Sequence, residues 1–331
     1  MERFALAAAV VLGFALTAAL CSLFVPLRRV LERREQQQQP VQSEQPRPAP
    51  LRAPLWGGLC AAAGTVAAVG VGWLAACVGQ PELLGSEGRL MTRLLTALAG
   101  SLAFGAVGLA EDLARMRSPA ALGLRRDVRL LLEALAAAFV LLLLRAAGCL
   151  PRGLGVPGAG YVLLGSAVPL LWAVLMVTLA ECARVAERDE GTVCGAAFAA
   201  MLALMMVEAG LGVPGLAVLP GALAGALVAL GLWAFPPAKL GAGCCGSLLA
   251  AGAIGCIPLS LDMTSLTVPL ALPFWAAGGL LAAQLLCAKR TGKPLRCWVK
   301  KHKMSPETVF LCSFALSAVG YVLALALLRW C

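Results

Sequence analysis

The sequence predicts an all-α, polytopic membrane protein, and three observations carry that prediction. Hydrophobic residues make up 60% of the 331 positions and charged residues 13%, with a mean hydropathy of +0.87. That balance lies outside the soluble globular range. The apolar residues also fall into ten continuous segments: 4–25, 55–78, 94–110, 130–148, 160–180, 192–211, 214–234, 245–261, 266–288 and 307–328. Several reach the ~20 residues that an α-helix needs to cross ~30 Å of hydrocarbon. They show none of the apolar-out, polar-in alternation of a membrane β-barrel. Finally, 21 of the 27 lysines and arginines lie in alternate gaps: 26–54, 111–129, 181–191, 235–244 and 289–306. Short loops rich in Lys and Arg stay on the cytoplasmic side, so these gaps are expected inside and both termini outside.

Each segment has its own punctuation. The first is preceded only by Arg3 and followed by Arg28-Arg29, the flanks of a retained helix rather than of a cleaved signal. The gap 26–54 holds Glu35 and four glutamines, then Pro40, Pro46, Pro48, Pro50 and Pro54. It is expected to be a Gln/Pro-rich, flexible cytoplasmic loop, partly polyproline. The second segment enters at Pro54-Leu-Trp-Gly57-Gly58, and the third leaves at Glu111-Asp112. Gap three leads through Gly123-Leu-Arg-Arg-Asp-Val-Arg129 into the fourth segment. Gap five, 181–191, carries four acids and two arginines, and gap nine, 289–306, is basic and proline-punctuated. The remaining gaps are mostly brief turns such as Gly210-Leu-Gly-Val-Pro-Gly215, so the sizeable loops share one side. The whole chain, 1–331, is expected to be one integral membrane domain.

Several function classes drop out. The charge of +10 sits beside membrane helices, where orientation and anionic headgroups explain it without nucleic acid. The 13 cysteines are scattered, no Cys-x-x-Cys occurs, and His302 is the only histidine. This argues for small apolar packing residues rather than zinc or an iron–sulfur cluster. Glu208 and Asp262 fall near outer helix ends, where solvated carboxylates are expected, and no run of ionisable residues inside helices suggests a transport path.

The chemistry that remains is acidic and basic at the cytoplasmic ends. Glu111 and Asp112 are adjacent oxygen donors of the kind that suits Mg²⁺ with phosphate completing its shell. Gly108-Leu-Ala-Glu111-Asp112-Leu-Ala-Arg115, then Gly123-Leu124 and Arg129, then Pro237-Ala-Lys239-Leu-Gly-Ala-Gly243-Cys244-Cys-Gly246-Ser247-Leu248 appear in that order, after Pro54-Leu-Trp-Gly57-Gly58. This series resembles the polyprenyl-phosphate N-acetylhexosamine-1-phosphate transferases, among them the phospho-N-acetylmuramoyl-pentapeptide transferases. The resemblance implies transfer of a phospho-sugar from a UDP-sugar to undecaprenyl phosphate, with release of UMP, in a bacterial cytoplasmic membrane. It implies Glu111 and Asp112 as the catalytic and Mg²⁺-binding acids, the third ligand position being Cys244. Arg115, Arg129, Lys239, Glu181, Glu187 and His302 are the corresponding substrate-binding candidates. The partners implied are undecaprenyl phosphate, a UDP-sugar and membrane lipids, with a second copy of the chain compatible and nucleic acid not.

The departures from the family pattern are concentrated where the metal should sit. Cys244 replaces an aspartate, and a thiol is a soft, poor magnesium ligand. Arg184 stands where gap five should carry an acid, Ala234 replaces an asparagine, and His302 is left from a histidine cluster. Three readings follow. One is a divergent homologue with weakened or lost transferase activity, serving envelope polysaccharide synthesis through binding. A second is an active Mg²⁺-dependent transferase whose missing acid comes from Glu181, Glu187, Asp189 or Glu190. The third is a structural membrane protein with no ligand.

Overall fold

In the computed structural model, residues 2–38, 56–79, 88–117, 123–151, 153–156, 160–187, 191–235, 238–291 and 306–330 are described. The helices are α1 (Glu2–Gln38), α2 (Gly57–Gly79), α3 (Gly88–Arg117), α4 (Arg126–Ala146), α5 (Ala167–Ala186), α6 (Thr192–Gly210), α7 (Pro214–Ala234) and α8 (Gly243–Ser260). A 3₁₀ turn (Thr264–Leu266) leads to α9 (Thr267–Leu270), α10 (Leu272–Thr291) and α11 (Pro306–Trp330). Among the described residues, eight helices are long and apolar enough to cross a membrane, or nine if the pair bent by 64° between α9 and α10 is one span. That bend breaks the predicted segment 266–288 at Pro269 and Pro273, where no backbone N–H can extend the ladder. The predicted segment 130–148 is covered by α4, a 21-residue helix that also carries Arg129, Glu133 and Arg145.

Two other boundaries differ from the sequence expectation. Helix α1 runs on through Gln38, so the start of the segment expected to be loop is helical; residues 39–55 lie outside the described set. The predicted segment 160–180 opens as a strand rather than a helix. β2 (Gly160–Leu163) pairs antiparallel with β1 (Gly153–Val156), with Gly153 opposite Leu163 and Val156 opposite Gly160. A short hairpin thus qualifies the all-α class. Its glycines and β-branched residues merge with the following apolar run, which hides it from a reading of hydropathy.

The bundle is organised around α8, every residue of which is buried. Its sequence, Gly-Cys-Cys-Gly-Ser-Leu-Leu-Ala-Ala-Gly, is small enough to let neighbouring backbones approach, which is how helices pack where hydrophobic burial against lipid gives little. Helix α3 is its main partner, and Trp172 of α5 donates its indole N–H to the Gly255 carbonyl at 3.2 Å. By contrast α1 and α11 bury only 22% and 17% of their most apolar windows inside the protein. Their remaining apolar surface faces outward, as lipid-facing helices should.

The helix directions then fix the two ends. The C-terminal ends of α3 and α5 meet the N-terminal ends of α4 and α8, bringing gaps three, five and seven together. The hairpin lies at the opposite end, where the Tyr161 hydroxyl donates to Asp262 at 3.0–3.1 Å. Asp262 is exposed, as expected, and has a positive φ of 62°. Glu208 is a correction: its carboxylate is buried, 1% exposed, rather than solvated.

Candidate functional site

The site begins with two backbone approaches. Helix α3 reaches α8 at Gly108, where a Cβ would collide with the Cys244 carbonyl. Helix α2 reaches the same turn at Gly58, where a Cβ would collide with the Gly246 backbone nitrogen. The Gly57 N–H donates to the Gly241 carbonyl at 3.2 Å. Three sequence motifs far apart along the chain are therefore one contact in space. Gly243, at φ 66°, turns the chain into α8 through a conformation that other residues adopt at a cost.

Asp112 closes this junction. Its side chain is 1% exposed, and its two oxygens accept the backbone N–H groups of Cys244 at 3.1 Å and Cys245 at 2.9 Å. Ala242, the residue preceding α8, provides no side-chain cap. Asp112 thus caps α8 from another helix, satisfying orphan N–H groups and placing negative charge at the positive end of the helix dipole. The Cys244 thiol is buried, and its carbonyl accepts the Ser247 hydroxyl at 3.1 Å.

Glu111 turns the other way, into a cluster of ion pairs. Its carboxylate pairs with Arg115 at 2.8 Å, Arg184 at 3.3 Å and Arg129 at 3.8 Å. Arg184 also reaches Glu133 at 2.6 Å and Glu181 at 2.9 Å, and Arg129 reaches Glu181 at 3.2 Å. Three arginines face three glutamates, and the Glu111, Glu133 and Arg184 side chains are almost wholly removed from solvent. In such a setting charges persist only when paired, because the desolvation penalty of each is several kcal/mol.

The sequence-derived candidates are placed unevenly. Glu111, Asp112, Arg115, Arg129 and Glu181 come together, and Glu187 interacts electrostatically with Arg115 and Cys244. Lys239 is placed otherwise: its ammonium lies 5.9 Å over the Trp233 ring, and its backbone N–H donates to the Trp233 carbonyl. His302, Asp189 and Glu190 lie outside the described residues. Glu133 was not among the candidates, although a carboxylate alone in the apolar run 130–144 is a sequence signal for a buried partner.

Residues 94–262 match glycosyl transferase family 4. The chain belongs to that family. Its members are membrane sugar-phosphate transferases acting with polyprenyl phosphate, and this one is a multi-pass membrane protein. No curated protein matches the chain significantly. The matched stretch contains Glu111, Asp112, Arg129, Glu133, Glu181, Arg184 and Cys244, and ends at Asp262.

Glycosyl transferase family 4 chemistry implies Mg²⁺, and the residues present do not fit it. A magnesium ion needs several free hard oxygen donors in octahedral array. Here both Asp112 oxygens accept backbone N–H groups, Glu111 faces three guanidinium groups, and the third position is a buried thiol.

Proposed function

We propose that this glycosyl transferase family 4 chain has lost, or nearly lost, phospho-sugar transfer and keeps the basic residues of the site for binding, with a regulatory or scaffolding role in bacterial envelope polysaccharide synthesis. The observation that carries the reading is the state of the two acids: Asp112 caps α8 and Glu111 is neutralised by arginines. Transfer requires two anionic phosphates to approach, and only fixed electrostatic groups aimed at the developing charge make that feasible. Carboxylates engaged in helix capping and ion pairs are less available for it, because a metal or phosphate must compete with those partners. Losing one such group typically costs ~10²–10³ in rate, and combined losses cost more without being additive.

Binding is a separate matter. Arg115 keeps 27% of its side chain exposed and Arg129 17%, so each retains N–H groups for a phosphate of a polyprenyl phosphate or a nucleotide. On this reading gaps one, three, five, seven and nine, which hold 21 of the 27 lysines and arginines, face the cytoplasm, and both termini lie outside.

The test is direct. Detergent-purified protein is given a UDP-N-acetyl-sugar, undecaprenyl phosphate and Mg²⁺, and UMP release is followed beside the melting temperature. The expected outcome is no UMP above background, with a melting temperature raised by UDP or undecaprenyl phosphate. A ligand at 100-fold its Kd stabilises by ~2.7 kcal/mol, so binding gives a clear signal. Robust turnover rejects the loss of activity, and an unmoved melting temperature rejects ligand binding in favour of a purely structural protein.

A further inference from the structure

The misfit between the pocket and magnesium has a positive counterpart, which is Arg184. We propose that Arg184 is a resident counter-ion: its guanidinium occupies the centre of a carboxylate cluster and replaces any exchangeable divalent cation in holding α3, α4 and α5 together. Its Nη2 lies 2.6 Å from Glu133 and 2.9 Å from Glu181, and its Nε lies 3.3 Å from Glu111. Those three acids come from three different helices and converge on one cation, which is the arrangement a bound metal ion imposes. A guanidinium does not lose its charge at any accessible pH and does not dissociate. The occupancy of this position is therefore set by the sequence and not by the ion content of the cytoplasm.

Two further details fit the assignment. Arg184 is 8% exposed in its side chain, so its charge is held by the cluster and not by water. Oε2 of Glu133 and Oε2 of Glu111 accept no hydrogen bond among the described residues. Without Arg184, these oxygens and Glu181 would face one another with unspent capacity for a cation.

The experiment uses the full chain in detergent, with metal alone and no donor or lipid, reading the melting temperature in EDTA and in millimolar Mg²⁺ or Mn²⁺. Wild type is expected to melt at the same temperature throughout. Arg184→Gln is expected to melt lower in EDTA and to recover by at least about 3 °C with either cation, the scale of shift that a ligand far above its Kd gives a chain of this size. Arg184→Asp should show a larger metal response, and Arg184→Lys, which keeps the charge, none. A wild-type melting temperature that rises with Mg²⁺ overturns the assignment, as does an Arg184→Gln protein indifferent to every divalent cation. Should Arg184→Gln fold only when purified in Mg²⁺, that supports it. If it folds in neither condition while Glu133→Gln/Arg184→Gln folds in both, no metal can replace the guanidinium and the assignment fails. Turnover by wild type would sink the proposed loss of activity without touching this result, because no substrate enters the assay.

Discussion

Asp112 and Cys244 stand 132 positions apart in the chain, yet a carboxylate oxygen of the first accepts the backbone N–H of the second at 3.1 Å. With the Cys245 N–H on the other oxygen, one side chain satisfies two of the four N–H groups that α8 leaves unpaired at its start. The position that the resemblance assigns to metal chemistry thus also holds a helix terminus. Asp112→Ala should leave both donors buried without partners, at about 1–3 kcal/mol each, for a total loss of about 2–6 kcal/mol. Asp112→Asn keeps one acceptor and should lose about half as much. Thermal unfolding of the two variants in detergent measures this, and a wild-type melting temperature for Asp112→Ala would show that the cap carries no weight.

The Glu133–Arg184 pair can be weighed by a double-mutant cycle. Removing one member of a buried pair leaves an uncompensated charge and typically costs ~3–5 kcal/mol. Glu133→Gln and Arg184→Gln should each destabilise strongly, and the double variant should cost less than their sum. The expected coupling is at least about 1.5 kcal/mol, within the range seen for contacting charged residues. Additivity within experimental error would mean that the 2.6 Å contact contributes nothing beyond its separate halves.

At the opposite end of the bundle, Tyr161 supplies a spectroscopic handle, since the chain has only two tyrosines. Burial first, and the Asp262 carboxylate second, raise its phenol above the ordinary value of 10.0. A raised acid favours the neutral form in the folded protein. Its contribution to stability is present below the unfolded value and is lost as pH rises through the folded one. Absorbance titration should therefore show a tyrosine ionising above pH 10.0 that Tyr161→Phe removes and Asp262→Asn shifts downward. A titration unchanged by Asp262→Asn would break the link between the two residues.

Much of this was legible in the sequence, for reasons that differ by element. Continuous apolar runs mark helices such as α6 and α7 directly, because their length matches the membrane and few charges interrupt them. The meeting of Gly58 and Gly108 with the first turn of α8 could be anticipated from the order of the motifs, since glycine at a helix contact signals close backbone approach. Arg184 was legible as a departure from the family, yet its partners were not: ion pairs to Glu111 and Glu133 depend on the rotation of three helices about their axes. The capping role of Asp112 was equally hidden, because backbone N–H groups are present at every position and carry no sequence signal. The hairpin 153–163 escaped because four-residue strands beside an apolar run have no period of their own.

Cys244→Asp tests how far the pocket lies from competence, because it restores the acid of the family pattern at one position. The Cys244 side chain is buried, beside Asp112, whose own carboxylate already fills the helix terminus. Electrostatically it also senses Glu111 and Glu187, with Arg115 as the opposing charge. A new carboxylate there would meet three acids and one cation that is already shared with Glu111. The desolvation and like-charge terms should then outweigh the attraction. The expected result is a loss of about 3–5 kcal/mol, the cost of an unpaired buried charge, with no UMP release in Mg²⁺. Cys244→Ser, similar in volume and uncharged, should cost less than about 1.5 kcal/mol. If Cys244→Asp instead folded as well as wild type and released UMP in Mg²⁺, the arginines around Glu111 would not be what silences this site.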